Sequence, residues 1–296
     1  LANTREIRRR IKSVKNTQQI TKAMQMVAAS KMRRAQQAAV AGREYSGLLN
    51  RVLVSLRERV DSGSHPLLAE RPGQRELVIL ISTDKGLCGA LNSNLFRETT
   101  RLDPGTTAFE VTGRKGVQYV ARTKRDLLAD FPLPDNPSLS QTRQLSRFAL
   151  ERFMAGEVDK VTVAYTRFVN TLTQKPALQT LLPIAPADLA SAGTVTDETV
   201  ARNPAADPKN RFGYIFEPDA TEVLDAILPE YVHFQVYQMV LNARASEHSA
   251  RMVAMKNATD NAKQIIKDLT LEYNKVRQAA ITTELLEITT AQMAMG

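Results

Sequence analysis

The 296-residue chain has one cysteine, Cys88, and no tryptophan. A single thiol forms neither an intrachain disulfide nor a Cys-x-x-Cys pair, which fits a reducing compartment or one where cysteine is not used. No apolar run reaches the ~18 residues a membrane-spanning helix needs, so none is expected. The basic N-terminus has no apolar stretch behind it, which argues against a secretory signal. The helical pattern that follows runs on to about residue 60, which argues against an organelle transit peptide. Aromatic residues are only 5% of the chain, while Ala, Met, Lys, Arg, Gln and Glu are abundant. That balance suits long helices better than a compact β-rich body. The length allows one large domain or two modest ones.

Acidic residues are scarce where basic ones gather. Between Thr4 and Gln36 stand Arg5, Arg8, Arg9, Arg10, Lys12, Lys15, Lys22, Lys31, Arg33 and Arg34, against Glu6 alone. Much of the formal net charge of +9 therefore lies in one segment. Such a segment is either a solvated helix face or a contact for an anionic partner: an acidic protein surface, nucleic acid or a membrane.

The same segment reads as a helix. Asn3 or Thr4 can cap it. Ile7, Ile11 and Val14 mark an apolar stripe; after the polar "KNTQQ", Ile20, Met24 and Val27 mark another. Tyr45, Leu48, Leu49, Val52, Leu56 and Val60 carry it on. Gly42 and Gly47 weaken the helix without ending it, and "DSGSHP" at 61–66 stops it.

From Glu76 the texture changes. "ELVILIS" is a continuous β-type run, as expected of a strand covered on both faces. "TDKGLCGALNSNLF" reads as a turn into a helix, "TAFEVTG" as a second strand and "RKGVQYVAR" as a second helix. "FPLPDNPSLS" is a loop, in which Ser138 or Ser140 can cap the helix "QTRQLSRFALERFMAG". "KVTVAYTRFV" and "QKPALQTLLPI" supply two more strands. This alternation predicts a parallel-sheet α/β layer at about 72–185. The segment 186–210 has no periodicity and reads as a loop or mobile segment. "RFGYIFEPD" reads as a short extended entry to a second helical region, with a break or kink at Pro229.

Beyond it, Leu241, Ala245, His248, Met252, Met255, Thr259, Ala262, Ile266, Leu269, Tyr273, Val276 and Ala280 step by four and three in strict alternation, which is a heptad seam. The predicted fold is therefore α/β: a long antiparallel two-helix coiled coil formed by both termini, with an inserted α/β domain. The expected organisation is an N-terminal coiled-coil helix at 1–60, an inserted domain at 72–213 and a C-terminal coiled-coil helix at 219–296.

One intramolecular coil covers one stripe per helix. On a helical wheel, Met24, Val27 and Ala28 of "TKAMQMVAAS" fall on one side, and Met26 and Ala29 on the other. The terminal "ITTAQMAMG" likewise offers little charge on any face. Met and Ala at helical spacing are often ordinary core. For Met26 and the C-terminal tail, an external sleeve accounts better for the uncovered apolar surface.

Catalytic signals are sparse. The glycines of "STDKGLCGALN" and "VTGRKG" sit at strand-to-helix turns that could hold phosphate, but neither has GxGxxG or a following GK[ST], and simple connection is the plainer reading. His65, His233 and His248 have no metal-ligand spacing. Cys88 has no neighbouring base and reads as a packed thiol. No cofactor is expected, and a mechanical or binding role is favoured over an enzyme.

"REIRRRIKSVKNTQQITKAMQMVAASKMRRAQ" and "SEHSARMVAMKNATDNAKQIIKDLTLEYNKVRQAAITTELLEI" resemble the terminal helices of the ATP synthase gamma subunits. "STDKGLCGALNSNLF" and "YIFEPD" resemble the central region of that family, so the likeness covers essentially the whole chain in order. The resemblance implies that the inserted domain is Rossmann-like and that the chain is a rotor without a catalytic site of its own. Its implied partners are the ring of three alpha and three beta subunits, the epsilon subunit and the membrane c-ring, with no nucleic acid. The implied location is peripheral, on the cytoplasmic side of a bacterial plasma membrane rather than in a mitochondrion.

By that resemblance, Met24 lies near an acidic lever on beta, and Arg8, Arg9, Arg33 and Arg34 are partners for the lever on charge alone. Arg277, Gln278 and Thr282 correspond to residues that engage a catch loop on beta. Met26, Met293 and Met295 are expected in the bearing. Tyr214 and Glu217 are expected where the foot meets the c-ring. The chloroplast members carry an inserted cysteine pair; with Cys88 alone, a thiol switch of that kind is excluded. The competing readings are a basic coiled-coil adaptor for nucleic acid or anionic membrane, and an α/β nucleotide-binding enzyme with helical arms.

Overall fold

The computed structural model describes residues 4–57, 65–184, 217 and 219–295. The expected loop at 186–210 and the segment "RFGYIFEP", apart from Glu217, lie outside the described residues. The elements are α1 (Thr4–Arg57), β1 (Glu76–Ile81), α2 (Leu91–Thr99), β2 (Thr107–Thr112), α3 (Arg114–Arg122), β3 (Asp126–Asp130), α4 (Leu139–Met154), β4 (Lys160–Phe168), β5 (Gln174–Leu182) and α5 (Ala220–Met295). They form two compact units: residues 1–29 with 251–296, and residues 30–250.

In the larger unit the five strands lie in the order β3-β2-β1-β4-β5. β1 is central and pairs parallel with both β2 and β4. Leu77, Ile79, Ile81, Val161, Val163 and Tyr165 bury one face of the sheet. That face meets Leu145, Ala149 and Phe153 of α4, Leu228, Val232 and Val236 of α5, and Leu53 and Leu56 of α1. On the other face Val78, Leu80, Phe109 and Val111 pack with Leu95 of α2 and Tyr119 and Val120 of α3. Coverage on both faces is why β1 is apolar at every position after Glu76.

Three sequence expectations need correction. The sheet is not all parallel, because β5 runs antiparallel to β4. Only Val169–Thr173 join these strands, too few for a crossover. Asn170 shapes that hairpin by accepting hydrogen bonds from the N–H groups of Leu172 (2.9 Å) and Thr173 (2.8 Å). β3 was not expected at all. It is an exposed edge strand, "DLLAD", whose two aspartates are poor strand formers. Finally, α5 passes through Pro229 without a break. Leu228 and Val232 on either side are fully buried in the core, which keeps the helix continuous there. α5 begins within one residue of the expected 219, where the Asp219 carboxylate accepts from the N–H groups of Thr221 (2.7 Å) and Glu222 (2.9 Å).

α4 starts at Ser138, in a reciprocal capping box with Gln141. In the larger unit α1 also lies close to α5. A Cβ at Gly42 would stand 2.1 Å from the Gln238 side chain, so the glycine permits that approach. Three residues on, the Tyr45 and Phe234 rings lie 4.9 Å apart.

Candidate functional site

In the smaller unit α1 and α5 pair directly. Arg8 donates to the Tyr273 hydroxyl and lies over its ring, 5.4 Å from the centroid. Further on, Thr21 Oγ1 and Thr259 Oγ1 are 2.7 Å apart. As α1 advances from 8 to 21, α5 recedes from 273 to 259, so the pair is antiparallel.

The covered face of α1 in this unit is Thr4, Ile7, Ile11, Val14, Gln18, Thr21, Gln25 and Ala28, a strict alternation of three and four. This corrects the second stripe expected from sequence. Ile20 and Val27 are 60% and 55% exposed and point away from the partner helix. The seam runs straight through the polar stretch and does not shift by one residue to collect the larger apolar side chains. Met24 is half-buried beside the seam, whereas Met26 is 61% exposed.

On α5 the seam is as expected at Met252, Met255, Thr259, Ala262, Ile266, Leu269, Tyr273 and Val276, all buried or half-buried. It ends there: Ala280 is exposed. Beyond that point Ile281, Leu285, Leu286, Ile288 and Met293 are all exposed, Met293 to 84%. The side chain of Met295 lies outside the described residues. Arg277, Gln278 and Thr282 are exposed, and Thr282 Oγ1 donates to the Gln278 carbonyl of its own helix (2.9 Å).

Sequence reasoning singled out the tail from Ile288, with Met293 and Met295, but missed Ile281, Leu285 and Leu286 before it. The signal was present. Carried on by fours and threes from Val276, the seam positions are Ala280, Thr283, Glu287, Thr290 and Ala294. A seam of small and polar residues with large apolar residues off it marks a helix whose partner is not α1.

The cations divide into engaged and free. Lys31 forms an ion pair with Asp135 and holds that carboxyl below the usual carboxylate range. Arg8 is engaged by Tyr273. Arg9, Lys12, Lys15, Lys22, Arg33 and Arg34 are exposed and have no ion pair among the described residues. Glu217 is exposed, and Tyr214 lies outside the described residues.

The glycine-rich turn that opens α3 is closed by internal bonds. Ser82 Oγ accepts from the Gly116 N–H (2.8 Å), the Thr83 carbonyl from Lys115 N–H (3.0 Å), and the Asp84 carboxylate from Arg114 N–H (3.1 Å). These are the N–H groups at the start of α3 that would otherwise face a phosphate. A Cβ at Gly113 would stand 2.4 Å from the Ser82 carbonyl oxygen, so this glycine serves the contact between turns. Among the described residues no group of three or more His, Cys, Asp and Glu side chains could hold a metal ion.

The histidines have structural partners. His65 Nδ1 accepts from Leu67 N–H, and its Nε2 lies 3.1 Å from Asp225. His233 Nδ1 lies 2.6 Å from Ser146 Oγ, and burial lowers the pKa of both rings. Ser146 is fully buried. Sequence reasoning also missed a buried ion pair, Arg244 with Glu247 at 3.0 Å, both under 6% exposed. Both charges are adjacent to seam positions, Ala245 and His248, where a charged side chain must find a partner within the protein.

The chain matches the family model described as ATP synthase over residues 3–295. It is 50% identical to the ATP synthase gamma chain of Opitutus terrae, over 99% of each chain. It is 48% identical to that of Methylacidiphilum infernorum, over the full length of both. Among solved structures it resembles a chain of the central stalk and c-ring of the Tetrahymena thermophila mitochondrial ATP synthase. There the identity is 25% and the TM-score 0.59, over 81% of this chain and 99% of that one. A chain of the Euglena gracilis mitochondrial ATP synthase, at 24% identity and TM-score 0.66, shares the fold over 99% of this chain and 94% of that one.

Proposed function

This chain belongs to the ATP synthase gamma-chain family, and from that premise we propose that it is the central-stalk rotor of a proton-translocating ATP synthase. The observation that carries the reading is the end of the helix seam at Val276, with five large apolar side chains exposed beyond it. Isolated in water, such a surface is a liability; enclosed by a ring of other subunits, it is a bearing. Contacts between apolar side chains are non-directional, so a helix turning inside a sleeve of them breaks few hydrogen bonds.

In this proposal the alpha and beta subunits form the sleeve, and the free cations Arg9, Arg33 and Arg34 face acidic surface on beta. Met24 lies against the same lever, and Arg277, Gln278 and Thr282 meet a second loop on beta. Tyr214 and Glu217 belong to the foot, where epsilon and the c-ring attach. Proton flow turns the ring and the shaft together. Because the two helices present different side chains on each side, each beta subunit meets a different surface at each angle. Only such differential contact can shift a subunit between affinity states. We further propose that nucleotide chemistry occurs on the partners and that this chain carries no catalytic site of its own. The internally bonded glycine turn at the start of α3 supports that. No described helix is long and apolar enough to cross a membrane, so attachment to the membrane is assigned to the c-ring.

Co-expression with the alpha, beta and epsilon subunits of the same synthase tests the assignment. The full chain is expected to co-purify with them as one assembly. A chain ending at Val276 is expected to assemble poorly while keeping its own helical signal. Equal assembly of both chains would overturn the sleeve.

A further inference from the structure

We infer that the ligand crevice of the α/β domain is sealed by α5 and holds a single ordered water, bonded to Arg244 Nε and Thr166 Oγ1. In open α/β sheets, ligands enter beyond the carboxyl ends of the strands, where the strand order reverses. Here β1 leads to β2 on one side while β4 lies on its other side, so the reversal falls between β1 and β4. A cavity lies at this place, lined by Ile81, Ser82, Thr83, Asn92, Thr166 and Arg244 among others. Its interior has room for about one water-sized molecule.

The lining itself says what occupies it. Arg244 Nε and Thr166 Oγ1 are buried and have no hydrogen-bond partner among the described residues. The rest of the guanidinium is committed: one Nη donates to Glu247 (3.0 Å), the other to the Leu133 carbonyl (2.8 Å), and Asp84 lies 3.9 Å away. Ser82 Oγ and Thr83 Oγ1 already bond to backbone, and Asn92 bonds to Thr83. The occupant must therefore accept from Nε–H and bond the Thr166 hydroxyl. Glu247 and Asp84 offset the arginine charge, so the crevice offers no net positive field to phosphate. Water meets both demands; a phosphate or nucleotide meets neither size nor charge. The place where this fold receives a ligand has become a joint, in which Arg244 ties α5 to the sheet side and to the loop before α4.

The test is NMR on the full chain labelled with 15N-arginine, the Arg244 Nε–H resonance being identified by its loss in Arg244→Lys. We expect that resonance to exchange slowly with solvent and to show a cross-relaxation peak to a long-lived water. The peak is expected to vanish in Thr166→Val while the other arginine resonances stay in place. Addition of millimolar inorganic phosphate or ATP is expected to leave the Arg244 resonance unshifted. Absence of the water peak in the unaltered chain, its persistence in Thr166→Val, or a shift caused by phosphate or ATP would each overturn the inference.

Discussion

Thr21 Oγ1 and Thr259 Oγ1 meet at 2.7 Å in the middle of an otherwise largely apolar helix seam. Thr259 is 4% exposed and Thr21 is 9% exposed. Each hydroxyl also reaches a carbonyl of its own helix, Thr21 that of Gln18 (3.0 Å) and Thr259 that of Met255 (2.8 Å). One proton therefore bridges the helices and the other satisfies a backbone group. A paired polar contact inside a seam penalises every other register, because a slip loses the hydrogen bond between the helices.

That pairing predicts a non-additive mutant cycle. Thr21→Val and Thr259→Val each remove the bond between the helices and leave the remaining hydroxyl to its own-helix carbonyl, and each is expected to destabilise the chain by roughly 0.5–1.5 kcal/mol. The double variant replaces both with apolar groups of the same shape and is expected to cost less than the sum. Additive losses in thermal unfolding would show that the two hydroxyls do not act as a pair.

A second prediction concerns Glu110, fully buried in β2 with neither carboxylate oxygen bonded. Burial pushes its pKa up to about 9, against an ordinary value of 4.5. Between those values the folded chain holds a proton that the unfolded chain releases. The group's contribution to stability therefore falls as pH rises through that window and levels off above it. Glu110→Leu is expected to stabilise the chain by roughly 1–3 kcal/mol near neutral pH. The gain in melting temperature should be larger at pH 8 than at pH 5. An equal gain at both would mean that Glu110 is not held neutral.

The uncovered end of α5 separates folding from assembly. Leu285 and Leu286 are 58% and 63% exposed, so Leu285→Asp and Leu286→Asp should alter the stability of the isolated chain by no more than about 0.5 kcal/mol. In the assembled synthase each buries a charge in the proposed sleeve. The expected outcome is at least a tenfold loss in assembly with alpha and beta, read by co-purification yield. Unchanged assembly would remove these residues from the bearing.

For Met24 the prediction is functional. It is half-buried, so Met24→Lys can extend its ammonium to solvent and leave the fold intact. Against an acidic lever the new charge would bind at some rotary angles and not at others. ATP hydrolysis is expected to persist while ATP-driven proton pumping in reconstituted vesicles falls several-fold. Pumping that stays in proportion to hydrolysis would count against the placement.

Much of this architecture is local and therefore legible in the sequence. The heptad seam of α5, the buried run of β1, the span of α3 and the Ser138 cap depend on period and on near neighbours, which one chain displays directly. The polarity of Thr283, Glu287 and Thr290 even marks where the seam loses its partner. Other features required the fold. Ile20 and Val27 are larger and more apolar than Gln18 and Gln25, yet they lie outside, because the register is a property of two helices and only the pairing of Thr21 with Thr259 selects it. β3 is a strand because β2 offers its edge, despite its two aspartates. The glycine turn at the start of α3, which could have cradled phosphate, is closed by Ser82, Thr83 and Asp84, and the crevice beyond β1 is closed by Arg244, some 160 residues along the chain. Composition and spacing determined that this chain builds long paired helices around a sheet. Which side chains face inward, which charges pair and which crevice stays shut were decided by contacts between residues far apart in sequence, where burial makes each polar atom demand a partner.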